Sequence, residues 1–278
     1  MPPTVLAAHG MGLGPWVFDA WKTIFAEAGM DFRALTLPGH DGNSGNATFG
    51  EVVSALEEAV AQVEGPVVLL GHSFAALAAQ VVATRRPLHA AVFVCPLPPG
   101  PLRLPRRLWR YFPAALASVL RGAPFVPSRK AWLETGFSNL SSDVAEAALK
   151  RVLPWPAGLV RDLRRPTDVL PTEVTTPVLV TVGGKDPVVD PAAARVVGDL
   201  FEGVIWRYDG LAHTPMLESG GERMARDIAA FCLAPTRPAV LESEGFGPDE
   251  GAGHTLRRAR RGARSKLRSA YGQRKGQA

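Results

Sequence analysis

The sequence has little cysteine and no long hydrophobic run. Among its 278 residues only Cys95 and Cys232 are cysteines, and neither has the spacing of a metal-ligand pair. We therefore expect two buried core thiols and no disulfide framework, as in a reducing cytoplasm. No stretch approaches the roughly twenty uncharged apolar residues that cross a membrane. The N-terminus also lacks the basic-then-apolar pattern of a secretory signal. Together these absences predict a cytoplasmic protein.

Acidic residues are scarce in two stretches of the chain. Residues 97–166 hold twelve Lys and Arg against four Asp and Glu, and residues 235–278 hold ten against four. The remainder holds nine against eighteen, so the net charge is only +5. A solvated basic surface explains both stretches, and attraction to acidic lipid, nucleic acid or a phosphate-bearing acyl carrier is the alternative. We expect a small-molecule substrate, no specific nucleic-acid partner, and a weak contact of the basic tail with anionic surfaces.

What the chain does contain is a regular alternation of strand and helix patterns. Six short apolar runs predict strands, which begin near Thr4, Arg33, Val67, Ala90, Val178 and Val204. Helical periodicity separates them, near residues 16–29, 48–63, 74–85, 192–201 and 221–232. Such alternation implies right-handed βαβ units. The predicted fold class is therefore α/β, an open, mostly parallel sheet of about six strands with helices on both faces.

The alternation is interrupted once, after Cys95-Pro96. From there to about residue 171 the chain is rich in Pro, Arg and Trp and shows helical stretches without a clear strand. An interruption of this length predicts a helical cap inserted into a sheet protein. The predicted domains are a core of 1–96 and 172–234, a cap of 97–171 and a basic tail of 235–278. The tail's composition predicts disorder.

The stretch 66–79, PVVLLGHSFAALAA, predicts a strand, an abrupt turn and a helix. Such a nucleophile elbow places Ser73 at the turn, with its hydroxyl above the sheet and beside the helix N-terminus. Residues two before and two after must be small, because strand and helix approach closely. Gly71 satisfies this requirement, and Ala75 nearly does. By itself the pentad also fits a serine that caps an ordinary helix.

Other polar residues follow strands in the same way. His9-Gly10, Asp186 and His213 each come directly after a predicted strand, as Ser73 does. In an open parallel sheet these loops share the carboxyl edge, where ligands bind. A serine hydroxyl is a poor nucleophile near neutral pH. It needs an imidazole to take its proton and a carboxylate to orient that imidazole.

With these pieces in place, the chain resembles the α/β-hydrolase superfamily. The matching segments are His9-Gly10 with Trp16, 37–44 (LPGHDGNS), 71–75 (GHSFA), 183–189 (GGKDPVV) and 212–218 (AHTPMLE). The resemblance implies a cofactor-free serine hydrolase with no metal, acting on an ester or thioester. It implies that Ser73 is the nucleophile, Asp186 the acid and His213 the base. It further implies an oxyanion hole formed by the backbone N–H groups of Met11 and Phe74.

The resemblance has two departures, and several alternatives stay open. Ala75 replaces the second elbow glycine, and the chain begins at what would be the third strand of the family. Asp190 and Asp209 are alternative acids, although Asp190 better fits a helix cap. His9 is expected to hold its loop through hydrogen bonds.

Other activities are open as well. A carbon–carbon bond hydrolase with the same triad is the alternative enzyme, and an inactive hydrolase-fold binding protein is the alternative of another class. Dehalogenases and epoxide hydrolases need an aspartate nucleophile, which argues against both.

The basic cap carries one further pattern. Leu108, Phe112, Leu116 and Leu120 recur at helical spacing, with arginines around them. We interpret them as one amphipathic helix whose apolar face covers the active site and contacts an acyl or aromatic group of the substrate.

Overall fold

A computed structural model describes residues 1–42, 46–100, 106–164, 167, 169 and 174–236. The six strands are β1 (Thr4–Ala8), β2 (Asp31–Leu35), β3 (Val67–His72), β4 (Ala90–Val94), β5 (Val178–Gly183) and β6 (Val204–Tyr208). All neighbouring strands pair in parallel, in the order β2-β1-β3-β4-β5-β6. The predicted parallel α/β sheet is confirmed, and each strand begins within two residues of its predicted start.

Helices connect the strands and cover both faces of the sheet. Within the described residues the α-helices are α1 (Asp19–Glu27), α2 (Phe49–Ala61), α3 (Phe74–Arg85), α4 (Phe112–Arg121), α5 (Arg129–Glu134), α6 (Ser142–Leu149), α7 (Ala157–Asp162), α8 (Pro191–Phe201) and α9 (Gly221–Leu233). A capping box begins α2: the Thr48 hydroxyl accepts from the Glu51 N–H, and the Glu51 carboxylate accepts from the Thr48 N–H. This exchange satisfies N–H groups that no helical carbonyl can reach.

The core consists of two apolar layers, one on each side of the sheet. In β1, Leu6 and Ala8 join the layer under α2, α3 and α8. Val5 and Ala7 face the opposite layer, under α1 and α9. Side chains alternate along a strand, so a strand buried on both faces must be apolar at every position. This requirement explains the uninterrupted apolar runs in the sequence.

The segment between β4 and β5 forms the cap. Its described residues hold α4 to α7, a short 3-10 helix at Arg106–Tyr111, and one isolated antiparallel bridge between Phe125 and Trp155. The prediction of a single helix through Leu108 and Leu120 is wrong. Pro113 lies in the first turn of α4, because proline is tolerated there and not in a helix interior, so the 3-10 helix precedes it. Leu120 is 78% exposed.

Some predictions fall outside the described residues. These are the basic tail beyond residue 236, the boundary between cap and core at 171/172, and Ser44 of the segment 37–44. Among the described residues, no helix has the length and apolarity needed to span a membrane.

Candidate active site

Ser73 lies at the sharp turn between β3 and α3. Its backbone has φ 57° and ψ −120°, a strained conformation for a residue with a side chain. The turn is held because the Ser73 N–H donates to the Val94 carbonyl at 3.0 Å. A Cβ on Gly71 would lie 2.6 Å from the Ala75 carbonyl oxygen, so only glycine fits there. The sequence thus folds locally into an elbow that presents the Ser73 side chain.

The order of the strands decides what surrounds Ser73. β3 lies between β1 and β4, so the loop after β1 flanks the serine on one side. On the other side the loops after β5 and β6 carry Asp186 and His213. Residues more than a hundred positions apart therefore meet at the carboxyl edge of the sheet, as expected for this topology.

His213 joins Ser73 to Asp186 by two hydrogen bonds. Its Nε2 is 2.9 Å from Ser73 Oγ, and its Nδ1 is 2.8 Å from Asp186 Oδ2. An ionised carboxylate only accepts hydrogen bonds, so Nδ1 carries the proton and Nε2 is free to accept the serine O–H. Of the three candidate acids, Asp186 contacts the imidazole. Asp190 caps α8 at the Ala192 N–H, and Asp209 pairs with Arg207.

Asp186 is held ionised despite its burial. Burial alone would raise the pKa of its carboxyl, but His213 and two backbone N–H donors outweigh that effect, so the pKa lies below its ordinary value. The donors are the N–H groups of Val188 and Val189, at 2.7 and 2.9 Å from Oδ1. The carboxylate is therefore fixed on one oxygen by the backbone, and the other faces the imidazole.

Two further predicted residues lie beside Ser73, one in the loop after β1 and one at the start of α3. Met11 and Phe74 line the same cavity as Ser73, and within the described residues neither backbone N–H has a backbone hydrogen-bond acceptor. His40 positions this loop, because its Nε2 accepts from the Gly12 N–H at 3.0 Å. His9 contacts the loop as expected, with Nδ1 at 3.0 Å from the Gly10 carbonyl.

Sequence analysis missed the residues that support the His213 loop. His72 Nε2 lies 2.7 Å from the His213 carbonyl oxygen, to which it donates. Glu218 brackets His213 from the other side, accepting from the N–H groups of Ala212 at 2.7 Å and Thr214 at 3.2 Å. The signals were the histidine in GHS, whose sequence context indicates only a structural or surface residue, and the glutamate in AHTPMLE, to which no role was assigned. Asn139 of the cap also donates to Glu218, at 2.6 Å.

Cys95 lies directly behind the Asp186–His213 pair. Its Sγ is 3.6 Å from the Ala212 carbonyl, and one donor atom from each of the three side chains lies within 4.8 Å of the others. A metal would need the thiolate, but burial raises the pKa of Cys95 well above its ordinary value. The arrangement fits a neutral thiol packed against a hydrogen-bonded pair better than it fits a metal centre. Both cysteines are buried free thiols, as expected.

A cavity of about 390 Å³ opens over Ser73 and His213. The cap supplies much of its wall, and most of the wall is apolar. Its aromatic and leucine side chains from the cap are Leu97, Leu108, Tyr111, Phe112, Leu116, Phe125, Trp132, Trp155 and Leu163. A cavity of this size and polarity suits an apolar organic group placed next to the serine hydroxyl.

Comparisons with known proteins agree with this architecture. The sequence profile described as the alpha/beta hydrolase family matches residues 5–227. No curated protein matches the chain.

Solved structures share the fold at low sequence identity. An extracellular α/β-hydrolase from a Paenibacillus species is 18% identical, with a TM-score of 0.68. The match covers 84% of this chain and 100% of the other. Polyneuridine aldehyde esterase is 19% identical, with a TM-score of 0.65 and coverages of 83% and 98%. A monoacylglycerol lipase from Paleococcus ferrophilus is 21% identical, with a TM-score of 0.66 and coverages of 84% and 95%.

Proposed function

The chain belongs to the alpha/beta hydrolase family, and we propose that it is a serine hydrolase that cleaves a carboxylic ester or thioester through an acyl-enzyme on Ser73. The observation that carries the proposal is the hydrogen-bonded series from Ser73 through His213 to Asp186, at 2.9 and 2.8 Å. It supplies a nucleophile, a base and an orienting acid in one buried site.

The first step is attack on the substrate carbonyl. Ser73 Oγ bonds to the carbonyl carbon while its proton passes to His213 Nε2. The imidazolium that forms is stabilised by Asp186, whose carboxylate the backbone keeps ionised. The carbonyl oxygen becomes an oxyanion, and the N–H groups of Met11 and Phe74 are the donors proposed to stabilise it.

The second half of the reaction returns the enzyme to its starting state. The intermediate expels the alcohol or thiol, which takes the proton from His213, and leaves the acyl group on Ser73. Water then attacks the acyl carbon as its proton passes to Nε2. Collapse of the second oxyanion releases the acid and reprotonates Ser73. Throughout, the His213 carbonyl stays fixed by His72.

The substrate class rests on the cavity and on similar folds. The apolar wall supplied by the cap supports an acyl or aromatic group as the part that is bound. Two structures similar to this chain are named an esterase and a monoacylglycerol lipase, which supports an ester as the scissile bond.

Covalent labelling tests the nucleophile. An organophosphonate should label the wild-type protein on Ser73, because an activated hydroxyl and not a merely exposed one reacts with such probes. Ser73→Ala should remove labelling, and His213→Ala should nearly do so, since no other base contacts Oγ in the described structure. Asp186→Asn should still hydrolyse esters, at a rate lower by about 10⁴-fold, because the imidazole remains but loses its orientation.

Asp190→Asn is the matched control, since it changes a nearby aspartate that caps α8. It should leave labelling and turnover unchanged. A wild-type protein that resists several probes of different size contradicts the acyl-enzyme and favours the binding protein. Turnover of p-nitrophenyl esters and acyl thioesters of graded length then defines the substrate, and a labelled enzyme that cleaves none of them favours the carbon–carbon bond hydrolase.

A further inference from the structure

One stretch of the cap is basic throughout. Residues 106–130 contain five Arg and one Lys and no Asp or Glu. Arg121 is exposed at the end of α4. Among the described residues, Arg110 and Lys130 contact Glu134 and Arg129 contacts Glu146, so two carboxylates offset part of the charge of this stretch and Arg121 adds to it. The surface therefore presents an excess of positive charge.

The same stretch exposes large apolar side chains. Trp109 is 64% exposed, Phe112 41% and Leu120 78%. Residues three apart in a 3-10 turn, and four apart in an α-helix, lie on the same side. Trp109, Phe112, Leu116 and Leu120 thus form one apolar stripe along the 3-10 helix and α4. A contiguous exposed apolar patch on a protein surface is typical of an interaction site.

The apolar stripe borders the opening of the active-site cavity. Phe112 and Leu116, at its centre, also line the cavity that contains Ser73. The guanidinium of Arg164, another residue of the cavity wall, lies 5.1 Å from the centre of the Phe112 ring. A partner that covers the apolar stripe would therefore contact neighbouring arginines and lie next to the opening of the cavity that contains Ser73.

We propose that the apolar stripe docks on the surface of an anionic phospholipid bilayer, with α4 lying in the interface. Tryptophan and leucine suit the boundary between headgroups and acyl chains, and neighbouring arginines suit acidic headgroups. Anionic headgroups attract each basic residue near the surface, whereas a neutral bilayer favours docking only through burial of the apolar side chains. Docking in this orientation places the cavity opening against the bilayer, from which an apolar ester can enter.

Vesicle co-sedimentation of the full chain tests the docking. Vesicles of equal phosphatidylcholine and phosphatidylglycerol should bind the protein, and vesicles of phosphatidylcholine alone should bind it much less. Raising the salt concentration should weaken the binding, because screening removes the headgroup attraction. Trp109→Ser with Leu120→Ser should weaken the binding about tenfold or more, through loss of apolar burial. Arg121→Gln should weaken it about fivefold.

Matched controls remove apolar groups and charge elsewhere. Val196→Ser with Leu233→Ser changes two exposed apolar residues outside the cap, and Arg195→Gln changes an exposed arginine of α8. Both should bind the anionic vesicles as the wild type does. Equal binding by the Trp109/Leu120 variant overturns the proposal. So does a dimer in light scattering that the same variant converts to a monomer, since the stripe would then contact a second copy.

Binding is measured without turnover, so its outcome is separate from that of the serine mechanism. Ser73→Ala should bind vesicles normally. The Trp109/Leu120 variant should hydrolyse a water-soluble p-nitrophenyl ester at the wild-type rate, which also shows that it has folded. A wild-type protein that binds the vesicles but hydrolyses no ester would contradict the proposed activity and leave the docking proposal intact.

Discussion

Buried imidazoles surround Ser73, and the fold requires them to be uncharged. Burial lowers the pKa of both His9 and His72 to about 3, with repulsion from a neighbouring histidine adding to it. Burial also lowers the pKa of His40. His40 Nε2 accepts from the Gly12 N–H, which a protonated ring could not do. The loop that carries Met11 thus requires a neutral His40, and burial favours the neutral form of His72 beside the His213 loop.

This dependence predicts a loss of stability in mild acid. His72 changes from an ordinary pKa of 6.5 to about 3 on folding. Between these values the unfolded chain binds a proton that the folded chain does not. The contribution of His72 to stability is therefore fully present above pH 6.5 and decreases as the pH falls towards 3. The slope for one such group is about 1.4 kcal/mol per pH unit. His72→Gln, whose amide can still donate to the His213 carbonyl, should lower the slope of unfolding free energy by that amount.

Urea unfolding at several pH values between 5 and 6.5 measures this slope. The comparison uses differences within each variant, so a constant change in stability from the substitution does not affect it. An unchanged slope in His72→Gln would mean that His72 is protonated in the folded protein or keeps its ordinary pKa. The hydrogen bond to the His213 carbonyl would persist in that case, because a protonated imidazole still donates from Nε2.

The residues that act through contacts were harder to predict than those that follow strands. Ser73, Asp186 and His213 could be placed from sequence, because parallel strands bring their following loops to one edge. The contact from His72 to the His213 carbonyl spans 141 positions. Such pairings depend on which strands are neighbours and on local loop geometry. Neither of these can be derived from a pattern near the residue itself.

At the scale of elements, the close approach of β3 to α3 controls the site. A Cβ on Gly71 would meet Ala75 and Ala76 of the helix at 2.6 Å. Helix α3 is buried along almost its whole length, so it cannot move away. The second small position, Ala75, is accommodated at 0% exposure, so the departure from glycine there is compatible with the elbow.

We therefore expect Gly71→Ala to reduce both stability and activity. Overpacking at a rigid site costs about 1–3 kcal/mol, and the shift needed to relieve it displaces Ser73. Gly210→Ala is the matched control, because a Cβ there meets nothing within 4 Å. The melting temperature and the rate of p-nitrophenyl ester turnover should both fall in Gly71→Ala and should be unchanged in Gly210→Ala. Wild-type turnover in Gly71→Ala would show that the elbow can relax without losing its geometry.

Periodicity predicted the sheet better than the cap. Strands buried on both faces produce apolar runs that need no further context. In the cap, Leu108 to Leu120 had the right spacing for one helix, but Pro113 makes α4 begin at Phe112. Spacing also could not show that Leu120 is exposed whereas Leu116 lines the cavity. That difference depends on where the cap packs against the core.

At the scale of the whole molecule, the apolar core and the cavity wall come largely from different parts of the chain. The two apolar layers on the sheet hold the strands that position Ser73, Asp186 and His213. The cap supplies much of the cavity wall and is joined to the His213 loop, since the Thr214 hydroxyl donates to the Gly136 carbonyl at 2.6 Å. Changes in the cap are therefore expected to alter substrate choice before they alter the fold.

The composition of the basic C-terminal residues leads to a prediction for the full chain. Residues 257–278 contain nine Arg and Lys and no acidic residue, so deleting them changes the net charge from +5 to −4. The segment lies outside the described residues, and its composition predicts that it buries too little apolar surface to offset its ordering entropy. Deletion should leave the melting temperature and small-ester turnover unchanged. A fall of several degrees in calorimetry would show that the segment packs on the core.

Binding to anionic vesicles should decrease in the truncated protein but still depend on Trp109 and Leu120, because the tail adds charge and the cap adds apolar contact. Binding that disappears entirely on truncation would assign the surface contact to the tail alone.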